Sequence, residues 1–197
     1  MTAPTRLMAA LLAAGSSRRF GAGNKLMAVW QGKPLIVHAA ATLRGVPAYR
    51  YIAACQPNDS ALHDILRSSG FEICINPNAQ DGLSASVRLA GQAAIESEAD
   101  ALLIALGDMP NVPSTHFAAL ISGVPADEVT ASRPSGGNIN MPPACFGKGA
   151  IPALLKVTGD RGARDMIANA SPVTARADQL RDFDMAADFE SDAFGLS

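Results

Sequence analysis

The chain has 197 residues, of which 48% are hydrophobic and 17% charged, with a formal net charge of −2. It is long enough for one domain with a sizeable core and too apolar for a disordered chain. A near-neutral balance excludes a general electrostatic draw to nucleic acid or an anionic membrane, so any cationic site has to be local.

The first apolar run covers residues 7–14 and stops at Gly15. One basic residue, Arg6, stands immediately before it, and a basic loop follows instead of a cleavage site. It therefore reads as a core strand and not as a signal peptide. No run approaches the roughly 18 apolar residues of a membrane span. After Gly15 come Ser16, Ser17, Arg18, Arg19, Phe20, Gly21, Ala22, Gly23, Asn24 and Lys25. A strand that opens into a glycine-rich, cationic loop suits a polyphosphate. Glycine permits close backbone approach, successive N–H groups form an anion cradle, and Arg and Lys add full charges. The loop is not a Walker A motif, because five residues separate Gly15 from Gly21 and Lys25 is followed by Leu26. It lacks the third glycine of a dinucleotide fingerprint. The alternative is a long basic surface loop.

Further strand-length apolar runs lie at residues 51–55, 71–75 and 101–106. They are continuous, as expected of strands covered on both faces. Helical patterns alternate with them. One starts at Pro34 and another is capped by Asn58 or Asp59 and closed by Gly70. A third is capped by Ser84, and a fourth opens at Pro113 and Ser114. This alternation predicts an α/β fold, a three-layer αβα domain on a mostly parallel sheet, with residues 1–197 as one domain. Beyond residue 124 the pattern loosens. Residues 133–138 read as a hairpin tip, 149–156 and 163–169 as short helices, and the tail from Met185 as a closing helix. Cys55, Cys74 and Cys145 are odd in number and form no C-x-x-C, which suits reduced, buried thiols in a cytoplasm. His38, His63 and His116 stand apart, which argues against structural zinc.

The run 102–106 leads into Gly107, Asp108, Met109 and Pro110. In open α/β sheets ligands bind beyond the carboxyl ends of strands, which puts Asp108 in the same cleft as the first loop. A carboxylate facing a polyphosphate implies a cation between them, and Mg²⁺ takes such ligands. The alternative is a turn or N-cap aspartate. Three other segments stand out: Gly82 to Arg88, with Ser84 and Ser86 at a helix start; Gly159 to Arg164, with Arg161 and Arg164; and Asp182 to Asp188. Their alternatives are an ordinary helix cap, a helix-linking turn with solvated arginines, and an acidic N-cap. No His/Asp or Cys/His constellation is evident.

Together these segments resemble the nucleotidyltransferases of the MobA-like group. The loop is similar to their L-A-A-G-x-S-x-R-M-G-x-x-K signature, with Phe20 in place of Met and one extra residue before Lys25. The later segments resemble L-G-D-M-P, G-M-S-x-S-[LV]-R, G-D-x-G-A-R and D-I-D-T-P-E-D. In the last, Met185, Ala186 and Ala187 replace Thr, Pro and Glu. Ala13, Ala14 and Gly15 look like the molybdenum cofactor cytidylyltransferase branch. The resemblance implies a Rossmann-like nucleotidyltransferase fold and transfer of CMP from CTP to molybdopterin-bound molybdenum cofactor with release of pyrophosphate. It implies Leu12, Ala13, Ala14, Gly15, Ser16, Lys25, Gly82, Ser84 and Ser86 at the nucleotide. Asp108 and Asp184 would hold Mg²⁺ or Mn²⁺, with Asp182 in reserve. Lys25 and Arg18 would stabilise the leaving pyrophosphate, and Arg161 and Arg164 would hold the acceptor. The implied partners are these two substrates and a molybdoenzyme or its maturation chaperone, with no nucleic acid and no membrane. The rivals are a guanylyltransferase using GTP, whose loop carries Ala-Gly-Gly, and a non-catalytic protein that delivers the finished cofactor.

Overall fold

A computed structural model describes residues 6–15, 20, 23–159 and 162–191. The chain runs β1 (Leu7–Ala13), the short strands β2 (Val29–Trp30) and β3 (Lys33–Pro34), α1 (Leu35–Arg44), β4 (Arg50–Cys55), α2 (Ser60–Ser68) and β5 (Glu72–Ile75). It continues with α3 (Leu83–Glu96), β6 (Ala101–Leu106), α4 (Ser114–Gly123), β7 (Val129–Pro134) and β8 (Met141–Gly147), and ends with α5 (Gly162–Ala168), β9 (Ser171–Ala175) and α6 (Ala186–Ser191). Seven strands form one sheet in the order β5-β4-β1-β6-β8-β7-β9. β1 lies inside the sheet, beside the central strand β6, and is parallel to β4 and β6. β8 runs antiparallel to both of its neighbours, β6 and β7.

β1 shows why its apolar run is continuous. Leu7, Ala9, Leu11 and Ala13 face one core with Leu35 and Leu43 of α1, Leu62 of α2 and Phe117 of α4. Met8, Ala10 and Leu12 face a second core with Val87 and Ala90 of α3, Leu154 and Ile167. With a side-chain period of two, a strand between two helical layers has to be apolar at every position. The three-layer αβα architecture read from the sequence is thus the one observed.

Local signals account for the helix starts. The Asp59 side chain accepts from the Leu62 amide at 3.2 Å and caps α2. Pro113 precedes α4 with extended backbone. One cap differs from expectation. Gly82, at φ +89°, stands at the N-cap of α3, so Ser84 lies inside the first turn. A left-handed φ favours glycine, and Gly82 holds that position. The tail of the sheet also differs, since no apolar run predicts β9. Its residues are mostly exposed at the sheet edge, so it lacks the unbroken apolar run that marks the interior strands.

All three cysteines are free thiols. Burial pushes Cys55 and Cys145 up to about 12, and it raises the half-buried Cys74 as well.

Candidate active site

β1, β4 and β6 all end on one side of the sheet, and a cleft of about 490 Å³ opens there. Its walls are Leu12, Ala14 and Gly15 after β1, Lys25 and Leu26, the stretch from Ala79 to Leu83 with Ser86, Leu106 and Asp108 after β6, and Gly159. The strand ends lie very close together. The Gly107 amide donates to the Leu12 carbonyl at 3.0 Å. A Cβ at residue 107 would fall 2.7 Å from Ile36 Cδ1 and 3.2 Å from the Leu12 oxygen, so any larger residue would have to push the Ile36 side chain aside. From the neighbouring strand end, the Gln56 side-chain amide donates to the carbonyls of Ala14 and Gly15 at 3.1 and 3.0 Å. These two bonds fix the start of the cationic loop.

Lys25 returns from the far end of that loop on a short 3₁₀ turn, Lys25–Met27. Asn24 caps the turn by accepting from the Leu26 amide at 3.0 Å, and its side-chain amide donates to Asp59. The residue that caps α2 therefore also anchors the segment carrying Lys25. Phe20, inside the loop, packs on Phe189 of α6 with ring centroids 5.3 Å apart.

The chemical centre is a triad of charges. Lys25 Nζ lies 2.7 Å from Asp108 Oδ2 and 2.6 Å from Asp184 Oδ1. Burial alone would lower the lysine, but the two carboxylates outweigh it and hold the ammonium above its ordinary value. The other oxygen of Asp108, Oδ1, is buried and accepts no hydrogen bond among the described residues. Two carboxylates converging on one point, with a buried acceptor left over, make a donor set that fits a hard divalent cation. Such a cation takes one or two protein carboxylates and completes its shell with phosphate and water oxygens. Asp182 sits at the rim. Its partial desolvation and the like charges of Asp184 and Asp108 raise its carboxyl.

Asp184 arrives from the end of the described chain, and a dedicated set of contacts holds it. The Phe183 amide donates to the Asp108 carbonyl at 2.9 Å. The fully buried Phe183 ring packs edge-on against Trp30 and Phe189 at 5.3 and 5.4 Å. Asp188 Oδ2 accepts from the amides of Asp184 and Met185 at 2.8 and 2.7 Å, while its Oδ1 pairs with Arg181 at 2.6 Å. These amides, with Arg181, hold the Asp188 carboxyl below its ordinary value.

The other expected site residues are placed unequally. Leu12, Ala14, Gly15, Gly82 and Ser86 line the cleft with Lys25 and Asp108. The Ala13 side chain is packed in the core beneath it, so Ala13 presents backbone there. Ser84 is buried and accepts from Arg88 at 3.4 Å, away from the cleft wall. Ser86 accepts from the buried Asn76 amide at 2.9 Å, which fixes its hydroxyl. Arg164 is exposed on α5. Ser16, Arg18 and Arg161 lie outside the described residues. The sequence reading missed Gln56, Asn24, Asp188 and the aromatic chain of Phe20, Phe189, Phe183 and Trp30. Of these, the acidic residue four places after Asp184 carried a signal, as a first-turn carboxylate that reaches back to amides ahead of the helix.

Known proteins share this architecture. The model of a family described as the MobA-like NTP transferase domain matches residues 9–176. Nicotine blue oxidoreductase of Paenarthrobacter nicotinovorans is 27% identical over 162 residues, covering 78% of each chain. Among solved structures, Rv0371c of Mycobacterium tuberculosis H37Rv superposes with a TM-score of 0.80 at 22% identity, over 96% of this chain and 98% of its own. Rv0371c is also known in a complex with manganese, which superposes with a TM-score of 0.78 at 19% identity over 98% of this chain and 100% of that one. A nucleotidyl transferase from Methanothermobacter superposes with a TM-score of 0.82 at 17% identity, over 95% of both chains.

Proposed function

The chain belongs to the MobA-like NTP transferase domain family, and from that premise we propose that it moves CMP from CTP to the phosphate of a molybdopterin-bound molybdenum cofactor, releasing pyrophosphate. The observation that carries the reading is the convergence of Asp108 and Asp184 on Lys25 at the floor of a cleft beside the cationic loop. The Ala13-Ala14-Gly15 sequence supports the cytidylyl branch, and Ala14 does line the cleft.

The chain's own groups do the positioning. Gln56 fixes the Ala14 and Gly15 carbonyls, so the backbone that meets the nucleotide is preorganised. Residues 79–83 line the cleft and would meet base and ribose. Asp108 and Asp184 would hold Mg²⁺ or Mn²⁺, which supplies charge neutralisation at the triphosphate when bound. An acceptor phosphate oxygen attacks the α-phosphorus in line. The bond from that phosphorus to the bridging oxygen breaks, and pyrophosphate carries the electron pair away. A phosphate monoester dianion is already a competent nucleophile, so the protein need supply no general base. Its work is orientation and charge stabilisation, and Lys25 and Arg18 would stabilise the leaving group.

The test is to incubate the purified protein with each NTP, Mg²⁺ or Mn²⁺ and molybdenum cofactor, and to measure pyrophosphate. CTP-dependent release supports the proposal. Release with GTP alone identifies the guanylyl branch. Cofactor binding without release under any NTP identifies a delivery protein.

A further inference from the structure

The position between Asp108 and Asp184 holds the Lys25 ammonium, 2.7 and 2.6 Å from one oxygen of each carboxylate. The lysine side chain is only 10% exposed, so this is a packed arrangement and not a surface contact. It is where a divalent cation bridging the two carboxylates would have to sit. We infer that Lys25 is a placeholder: it keeps free metal out of the site and yields the position only when a triphosphate enters with the metal. The inference rests on the reading of Asp108 and Asp184 as metal ligands.

The physical argument is one of charge. Two carboxylates and one ammonium sum to −1. A divalent cation added beside the ammonium would meet a like charge at contact range in a partly dry cleft, where repulsion is poorly screened. Seating the metal therefore requires Lys25 to leave, and in the nucleotide-free protein that breaks two short ion pairs. A triphosphate changes the balance. It brings about four negative charges into the same cleft that Lys25 lines. The lysine stem is long and flexible enough to exchange one anion for another. Asp108 Oδ1, buried and unpartnered among the described residues, is the acceptor that the ammonium leaves unsatisfied. Metal and nucleotide should then bind with positive coupling, and by linkage each should tighten the other equally.

The test is titration of Mn²⁺ alone into the full chain, with free Mn²⁺ read by electron paramagnetic resonance. It is run with and without a non-hydrolysable α,β-methylene analogue of CTP. In the wild type the analogue should tighten Mn²⁺ binding by about tenfold or more. Lys25→Met should bind Mn²⁺ at least about fivefold more tightly than wild type without nucleotide, and should lose most of the coupling. Equal Mn²⁺ affinity with and without the analogue in the wild type overturns the inference, whether or not the variant folds. So does a folded Lys25→Met that binds Mn²⁺ no more tightly than wild type. Asp108→Asn separates the two levels. If it abolishes Mn²⁺ binding while Lys25→Met fails to tighten it, the placeholder falls and the metal site stands. If it leaves Mn²⁺ binding unchanged, both fall.

Discussion

The Phe183 amide donates to the Asp108 carbonyl at 2.9 Å, so one backbone bond ties the turn carrying Asp184 to the strand end carrying Asp108. The two side chains then meet the same ammonium. The separation between the carboxylates is thus set by main chain and packing, and side-chain substitutions at either one should leave the turn in place.

Asp108→Asn is therefore expected to keep the fold and lose activity. The amide is nearly isosteric, retains one acceptor oxygen and removes the anion. Pyrophosphate release should fall by about a hundredfold or more, while far-ultraviolet circular dichroism and the melting temperature stay near wild type. A folded variant with near-normal turnover would remove Asp108 from the centre of the mechanism.

Asp188 accepts from the amides of Asp184 and Met185 and pairs with Arg181. Asp188→Ala should loosen that turn and lower Mn²⁺ affinity in the nucleotide complex by roughly tenfold, the usual cost of losing a group that orients a ligand. Asp188→Asn, which still offers an oxygen to the amides, should recover part of the loss. If both variants bound Mn²⁺ like wild type, the aromatic packing of Phe183 and its amide bond to Asp108 would suffice to hold the turn.

Base choice should rest partly on Ala14. Ala14 lines the cleft, and in the proposed reading its methyl group leaves less room for a purine. Wild type should show a higher kcat/KM for CTP than for GTP with the same acceptor. Ala14→Gly should narrow that ratio by about tenfold, the scale of one methyl group in a fitted pocket. A wild-type preference for GTP would overturn the cytidylyl assignment and leave the reaction class intact.

His116 gives a prediction on pH. It is buried in α4, and its Nε2 lies 2.8 Å from Ser132 Oγ, whose hydroxyl donates to the Pro143 carbonyl at 2.8 Å. The serine oxygen therefore accepts from Nε2–H. Burial lowers the His116 pKa. The unfolded chain, with histidine near its ordinary value of about 6.5, then binds more protons than the folded one just below that pH. Stability should be fully present above about pH 6.5 and decline as pH falls through the folded value, with a slope of at most about 1.4 kcal/mol per pH unit from this group. His116→Gln should flatten the slope in urea unfolding between about pH 6.5 and 5. An unchanged slope would mean that other groups set the acid limb.

The interior of the fold was legible because buried parallel strands leave little freedom. β1 and β6 appear in the sequence as unbroken apolar runs, β6 with the bounds observed and β1 to within one residue, and their ends place the loop and Asp108 in one cleft. The edge was not legible, since β9 is mostly exposed and has no apolar run to betray it. Ser84 was misplaced because glycine and serine are both accepted N-caps, and only the positive φ of Gly82 decides between them. Gln56 and Asn24 were invisible for another reason. Each acts through a backbone group or side chain far away in sequence, and a lone polar residue after a strand carries no periodicity.

Lys25 and Asp184 are 159 positions apart, and only the completed fold brings them together. A cation bound there would hold together the first loop, the middle of the sheet and the closing turn. Ligands that prefer the folded state stabilise it in proportion to their excess over Kd. Metal and nucleotide should thus raise the unfolding temperature of the whole domain together, and a chain whose closing turn is undocked should show neither effect. In this molecule substrate binding doubles as a measure of whether folding has finished.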